Sequence, residues 1–322
     1  MKIVLPLAGK GTRLLPHTTI VPKPLMFVAG QSILDHLMEE LIALNPTEFV
    51  FVTGYMKEEL ETHLKNKYPN IAMKFLEQKD PQGLGHAIYQ ARDAFTKDED
   101  MLVVLGDQTF TIDWTKMLQS SHNRISVVTV EDPSQFGIVS LDDRGFVTDM
   151  EEKPANPKSN LAISGTYYFP SAQSVFSAIA YQIAQDIRTK GEIQITDSMR
   201  IMMDLGEQFE GLLIKDWNDC GNHKDLLAAN KTLLQKNNTL TTTFDKSVII
   251  HEPVWIHPSV KITNATIGPN VSLAENVIVD DSTLVNTIVD INTRIKNSRI
   301  IDSYLGRNMN IEKLFSSDKY LI

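Results

Sequence analysis

Short continuous apolar runs alternate with helically spaced segments through the first hundred residues. "KIVLPLA", "EFVFVTG", "IAMKFLEQ" and "MLVVLGDQ" read as four strands, the apolar ones buried on both faces. Between them, Ile33 to Leu44 has helical apolar spacing, "MKEELETHLKNKY" is a charged helix and "GHAIYQARDAF" a third. This alternation predicts a mostly parallel sheet covered on both faces, with ligands bound beyond the carboxyl ends of the strands. The glycine-bearing stretch after the first strand and "LGDQ" after the fourth both lie at such ends. Residues 125–170 carry further strand patterns, and residues 171–240 read as mainly helical.

The pattern changes after about residue 245. Ile256, Ile262, Ile267, Leu273 and Val279 are spaced by six, five, six and six, with Asn, Asp and small residues between them. Ile288, Ile295, Ile300, Leu305 and Ile311 continue it less regularly. The period predicts a hexapeptide-repeat, left-handed parallel β-helix of about three coils at ~18 residues per coil. A meander of short antiparallel strands is the other architecture such a tail allows. The expected fold is therefore α/β. A Rossmann-like, mostly parallel sheet occupies residues 1–240, and a short left-handed parallel β-helix occupies 241–322.

Composition narrows the function. With 31 Lys and Arg against 40 Asp and Glu, the formal charge is −9, so no basic excess is available to neutralise a nucleic-acid backbone. A single cysteine permits no intrachain disulfide and fits a reducing compartment. No apolar run approaches the ~20 residues that span a bilayer, and the first residues lack a signal-peptide pattern. A cytoplasmic protein with no membrane or nucleic-acid partner is expected.

Candidate chemistry concentrates in "LAGKGTRLLPHTTIVPKPL", Leu7 to Leu25. A P-loop, G-x-x-x-x-G-K-[ST], is excluded: with Gly9-Lys10 as its glycine and lysine, Val4 and Gly11 hold the wrong residues. The dinucleotide fingerprint fails at Leu14. What remains is a glycine turn able to approach an anion, with Arg13 and Lys23 as cations. Pro16, Pro22 and Pro24 forbid a regular helix and predict an extended, stiff segment. A surface loop with solvated cations is the plainer meaning of the same residues.

This stretch resembles the signature of the sugar-1-phosphate nucleotidylyltransferases, G-x-G-T-R-L-x-P-x-T followed by P-K-P. "LGDQ", "FGIV", "EEKP", "SGTYYF", "GEIQITD" and "WNDCGNHKDLLAAN" agree in order, the last of them ending at Asn230. The pattern is most similar to long-form glucose-1-phosphate thymidylyltransferases, with the uridylyltransferases second. The resemblance implies an enzyme that joins a nucleoside triphosphate, dTTP or UTP, to a sugar-1-phosphate such as glucose-1-phosphate and releases pyrophosphate. N-acetylglucosamine- and mannose-1-phosphate stay open as alternative sugars.

The resemblance also implies roles for residues. Leu7, Ala8, Gly9, Gly11 and Thr12 would wrap the nucleotide, with Gln78 and Gly83 on the base. Arg13 would hold the departing pyrophosphate and Lys23 would act near the α-phosphate. Asp107 and Asp219 would hold Mg²⁺, although a lone Asp at a strand end is as often a turn or cap. Lys153 would bind the sugar phosphate, and Glu152 the sugar hydroxyls beside Gly137 and Gly165. Glu192 is either a sugar ligand or a structural cap. Trp217 is either core packing or a sugar-stacking platform. His17, Pro6 and Leu7 depart from the usual pattern at positions without charge. Two other classes are acyl transfer by the β-helix, which needs a longer helix, and a silent regulatory homologue, which would have lost these charged residues. The β-helix is expected to act as an oligomerisation or regulatory surface, giving a homo-oligomer.

Overall fold

The computed structural model describes residues 1–236, 244–317 and 320–321. The expected boundary between residues 240 and 241 lies outside the described residues. Two compact units are present, and each draws on several stretches of chain. The first comprises Met1–Gly9, Glu39–Gly106 and Phe110–Trp217. The second comprises Lys10–Met38, Asp107–Thr109 and Asn218–Ile322.

The first unit is built on a nine-stranded mixed sheet. Lys2–Pro6 lies between Met101–Val104 and Glu48–Thr53, and Met73–Glu77 follows, all pairing in parallel. The first three are nearly all Val, Ile, Leu, Phe and Met because their side chains are buried on both faces of the sheet, whereas Met73–Glu77, at its edge, is only partly buried. The chain runs outward from Lys2–Pro6 and then returns to its other side with Met101–Val104, which makes a switch point between those two strands.

The other half of the sheet is largely antiparallel, more so than the sequence pattern suggests. Leu161–Phe169 runs antiparallel to Met101–Val104, Asn123–Thr129 and Gly137–Leu141. Gly137–Leu141 and Val147–Glu152 are joined by a tight turn at Gly145, too short for a parallel crossover. The register of Leu161–Phe169 on Asn123–Thr129 jumps between Ile163 and Tyr167, around Gly165 at φ 90°. At that bulge Thr166 O accepts from Ser126 Oγ at 3.1 Å, while on the other side Gly165 O extends the ladder by accepting from the Leu105 amide at 3.0 Å.

The region expected to be mainly helical contains helices Ala172–Ala184, Ile195–Asp204 and His223–Lys236. It also contains strands Phe209–Leu213 and Lys215–Asp219. The second is largely polar and belongs to a two-stranded ribbon with Gln108–Thr111, so it carries no burial period.

In the second unit the tail forms the expected short left-handed parallel β-helix. Ile249, Thr266, Thr283, Arg299 and Phe315 stack in one column, each one coil beyond the last. That register corrects the coil length. The first two steps advance seventeen positions and the next two sixteen, and the column reaches five levels where about three coils were expected. Corners explain the shortening. Asn264, Asp281, Asn297 and Lys313 turn one edge, Asn270, Asn286 and Asp302 a second, and Asn276, Asn292 and Asn308 the third, all with φ between 44° and 61°. Asn and Asp tolerate this left-handed conformation best among residues with a Cβ. Their side chains bond up the column, as in Asn276 Nδ2 to Asn292 Oδ1 at 3.2 Å and Asn292 Nδ2 to Asn308 Oδ1 at 3.1 Å.

The coil core is Ile267, Leu273, Val279, Leu284, Val289, Ile295, Ile300 and Leu305, with Ile311 beyond. Ile288, expected in this column, is one residue out of phase: Val289 pairs with Leu273, and Ile288 lies in a different core. That core joins Leu14, Val21, Met26 and Phe27 to Leu226, Leu227 and Leu233, and to Ala274, Ile288 and Tyr304 of the coils.

Candidate active site

In the second unit, Gly11 to Met26 does not run extended. It folds into three short 3-10 turns, Thr12–Leu14, His17–Thr19 and Lys23–Leu25. A proline φ near −65° suits a 3-10 turn as well as an extended segment. The turns also satisfy amides locally, as in Leu14 N to Gly11 O at 2.9 Å and Leu25 N to Pro22 O at 2.8 Å.

Gly11 sits at φ 63°, and a Cβ there would lie 3.0 Å from both Lys23 Cβ and Thr18 Cγ2. The glycine therefore lets the stem of Lys23 pass against the turn. Gly11→Ala is expected to cost about 1–2 kcal/mol for the left-handed backbone and to displace Lys23. The variant should show a lower Tm and roughly tenfold lower turnover; an unchanged Tm and turnover would refute this account.

Lys23 is buried, and its Nζ lies 2.8 Å from Asp107 Oδ2. Arg13 is two-thirds exposed, its Nη2 3.9 Å from Asp219 Oδ2. A Cβ on Gly221 would fall 2.8 Å from Asp219 Oδ2 and 2.9 Å from Arg13 Nη2, so this glycine, which sequence reasoning missed, makes room for the pair. Burial, and then the charge of Asp107, hold the Asp219 carboxyl above the ordinary carboxylate range. Asp225 is raised by burial as well, and its Oδ2 accepts from Asn222 Nδ2 at 2.5 Å. Arg13, Lys23, Asp107 and Asp219, from three distant stretches of the chain, thus form one cluster with alternating charge. The Cys220 amide donates to Asp107 O at 3.0 Å, which ties the two acidic segments together.

In the first unit, Leu7 and Ala8 are buried and Gly9 is exposed. A Cβ on Gly106 would collide with Leu7 Cδ2, and one on Gly54 would lie 2.9 Å from Ala8 Cβ, so three strand ends close tightly there. Leu7 and Ala8 can therefore serve a ligand only through their backbone.

Gln78 is buried; its Nε2 lies 3.2 Å from Gly83 O and 2.9 Å from His86 Nδ1. Gly83 is at φ 108°, and a Cβ would meet Ile193 O at 2.6 Å and Glu192 Cβ at 2.8 Å. Glu192 thus sits beside Gly83, and its Oε2 accepts from Gln194 Nε2 at 2.9 Å. Helix Ile195–Asp204 has Gln194 at its N-cap and no side-chain cap, so Glu192 does not cap it.

Glu152 lies in a second cluster. Its Oε2 accepts from Thr196 Oγ1 at 2.7 Å, and a Cβ on Gly137 would lie 3.0 Å from that same oxygen. Burial raises its pKa above the carboxylate norm. Lys153 has φ 44°, left-handed for a lysine, and its Nζ is 3.7 Å from Glu152 Oε1. The Trp217 Nε1–H donates to Ser164 O at 3.1 Å, and its ring meets Phe136 edge-on at 5.4 Å. Thr196 and Phe136 escaped the sequence reading, though both lie within or beside its motifs.

A nucleotidyl transferase family model matches residues 2–236. The chain belongs to the nucleotidyl transferase family. Within that family it is similar to the bifunctional protein GlmU of Methanocaldococcus jannaschii, 34% identical over 96% of this chain and 78% of the relative. A glucose-1-phosphate thymidylyltransferase of Streptomyces antibioticus is 28% identical over 97% of this chain and 93% of that one. A UDP-glucose pyrophosphorylase solved with UDP-glucose superposes with a TM-score of 0.63 at 25% identity, covering 73% of this chain and 99% of that chain. No helix among the described residues is long and apolar enough to cross a membrane.

Proposed function

We propose that this nucleotidyl transferase is a Mg²⁺-dependent sugar-1-phosphate nucleotidylyltransferase that joins dTTP or UTP to glucose-1-phosphate. The observation that carries the reading is the cluster of Arg13, Lys23, Asp107 and Asp219. In the reaction a phosphate oxygen of the sugar phosphate bonds to the α-phosphorus as the bond to the bridging oxygen breaks, and pyrophosphate leaves. Both reactants are polyanions, so positioning and charge neutralisation do most of the catalysis and no protein nucleophile is needed.

Lys23, fixed by burial and by Asp107, is suited to a single oxygen on the reacting phosphorus. Arg13, exposed and loosely held, is suited to closing its planar fork on departing pyrophosphate. Asp107 and Asp219 offer oxygen donors only; burial, and then the charge of Asp107, raise Asp219, and a dication would offset both by favouring the ionised carboxylates. No group of three or more candidate ligands is found among the described residues. Two carboxylates suit Mg²⁺, which keeps water and phosphate oxygens in its shell and would neutralise phosphate charge. Glu152, held by Thr196 and raised by burial, would exchange hydrogen bonds with sugar hydroxyls, with Lys153 for the sugar's phosphate. Gln78 and Gly83 are the residues on which base choice rests. The names of the relatives support glucose as the sugar and leave the pyrimidine open.

The test is pyrophosphate release with Mg²⁺ from dTTP, UTP, CTP, GTP or ATP paired with glucose-, N-acetylglucosamine- or mannose-1-phosphate. Highest turnover is expected for a thymidine or uridine nucleotide with glucose-1-phosphate. No release from any pair would overturn the reading.

A further inference from the structure

The mechanism leaves a buried polar cluster in the second unit unused. The His17 ring meets Tyr304 edge-on at 4.7 Å and His223 at 5.1 Å. Tyr304 is buried on the face of the β-helix away from the coil core. Its hydroxyl is 3.4 Å from Asp290 Oδ2, and its side chain lies in the same core as Phe27. Asp290, also buried, is neutralised by Arg307 Nε at 2.9 Å and accepts from the Ile291 amide at 2.8 Å. One side chain therefore meets the middle of the loop through His17 and shares a core with its end at Phe27, while the coils hold it through Asp290.

Other contacts repeat the arrangement. Asn230 Oδ1 accepts from Ala29 N at 3.0 Å and from Ser272 Oγ at 2.6 Å, and Asn230 Nδ2 donates to Asn270 O at 3.1 Å. Trp255 packs on Phe27 at 5.6 Å and so close to Gly30 that a Cβ there would lie 2.6 Å from its Nε1. The loop that carries Arg13 and Lys23 thus shares its core with the coils and with helix His223–Lys236.

We infer that the β-helix sets the geometry of the phosphate-binding loop, and that Tyr304 is the positioning residue through which it does so. The kinetic consequence rests on the reading of Arg13 and Lys23 as phosphate ligands; the mechanical coupling does not. Truncating Tyr304 frees the 3-10 turns and leaves the coil core of Leu284, Val289 and Leu305 intact. The coils thereby act on catalysis without contributing a group to the reaction.

The test uses the full-length protein as Tyr304→Leu, Tyr304→Phe and, as control, Leu284→Ala, which weakens the coil core without touching the loop. Hydrogen exchange is followed at the amides of residues 12–26. Steady-state kinetics are taken in the reverse direction with pyrophosphate as the varied substrate. Tyr304→Leu should speed exchange across 12–26 at least tenfold, leave the strands Lys2–Pro6 and Glu48–Thr53 unchanged, and raise the pyrophosphate KM about tenfold. Tyr304→Phe keeps the ring and the fold and should restore much of both. Leu284→Ala should leave loop exchange at the wild-type rate. Wild-type exchange in both Tyr304 variants would overturn the inference, and so would an equal loop response in Leu284→Ala. Faster loop exchange in a protein with no transferase activity at all would uphold the coupling and count against the proposed reaction instead.

Discussion

Asp219→Asn is expected to abolish most nucleotidyl transfer, about 10²–10³-fold in kcat/KM, as for the loss of one well-placed charged group in a phosphoryl site. The same variant should melt at or above the wild-type temperature. Asp219 is mostly buried beside Asp107, and both burial and that neighbouring charge disfavour its ionised form. A carboxyl whose pKa is raised on folding weakens the folded state wherever it must be ionised, and the neutral amide removes that cost. Loss of activity without loss of stability separates a functional carboxylate from a structural one. Initial rates of pyrophosphate release and a thermal melt at neutral pH decide it. If activity is kept, or if the variant melts well below the wild type, Asp219 is structural and the metal assignment fails. Lys23→Met should reduce turnover by a similar factor, but it leaves Asp107 without its partner at 2.8 Å and should lower the Tm.

Stability should also fall as the pH drops from about 6.5 toward 4, with His17 as a main cause. Burial, followed by the charge of His223, lowers the pKa of His17 from 6.5 to about 4. His223 is lowered by burial in the same direction. Between the two values the unfolded chain binds a proton that the folded protein refuses. Stability is therefore full above the unfolded pKa and is lost as the pH falls through this window. The His17 share is on the order of 2–3 kcal/mol from a shift of this size. Glu152, Asp197, Asp219 and Asp225, all raised, act with the opposite sign, so the wild-type profile alone does not isolate the histidine. The comparison with His17→Leu does. His17 Nε2 is buried with no hydrogen-bond partner among the described residues, and leucine is similar in size and carries no polar atom. The variant should melt higher than the wild type at pH 7.5, and the gap should widen by pH 5. A constant gap between those pH values would exclude titration of His17 from acid unfolding.

Much of the architecture was legible from periodicity. Continuous apolar strands separated by helical spacing gave the parallel half of the sheet, because side chains buried on both faces leave no alternation to misread. Six-residue spacing gave the β-helix for a similar reason: each coil must send an apolar residue inward at every face. The phase of that pattern was harder to read. Ile288 and Val289 are both apolar, and only the stacking of Val289 on Leu273 decides which one faces the coil core. Prolines around Lys23 fit an extended segment or 3-10 turns, and only the packing of Gly11 against Lys23 and Thr18 selects the turns. The polar strand Lys215–Asp219 had no burial signal to offer.

Arg13 and Lys23 were found because the glycine turn and prolines mark their loop locally, and Asp107 because it ends an apolar strand. Local pattern was enough for most of the elements, for the family signature and for the charged residue types. Assembly in three dimensions was needed to establish that Lys10–Met38 and Asp107–Thr109 fold with the C-terminal unit, that Thr196 meets Glu152, and that Tyr304 backs His17. Backbone geometry fixes which residues of one element share a face, so local periods can be read along the chain. Which two faces meet depends on the summed burial and hydrogen bonding of segments as distant in the chain as those of His17 and Tyr304, and no local period encodes that choice.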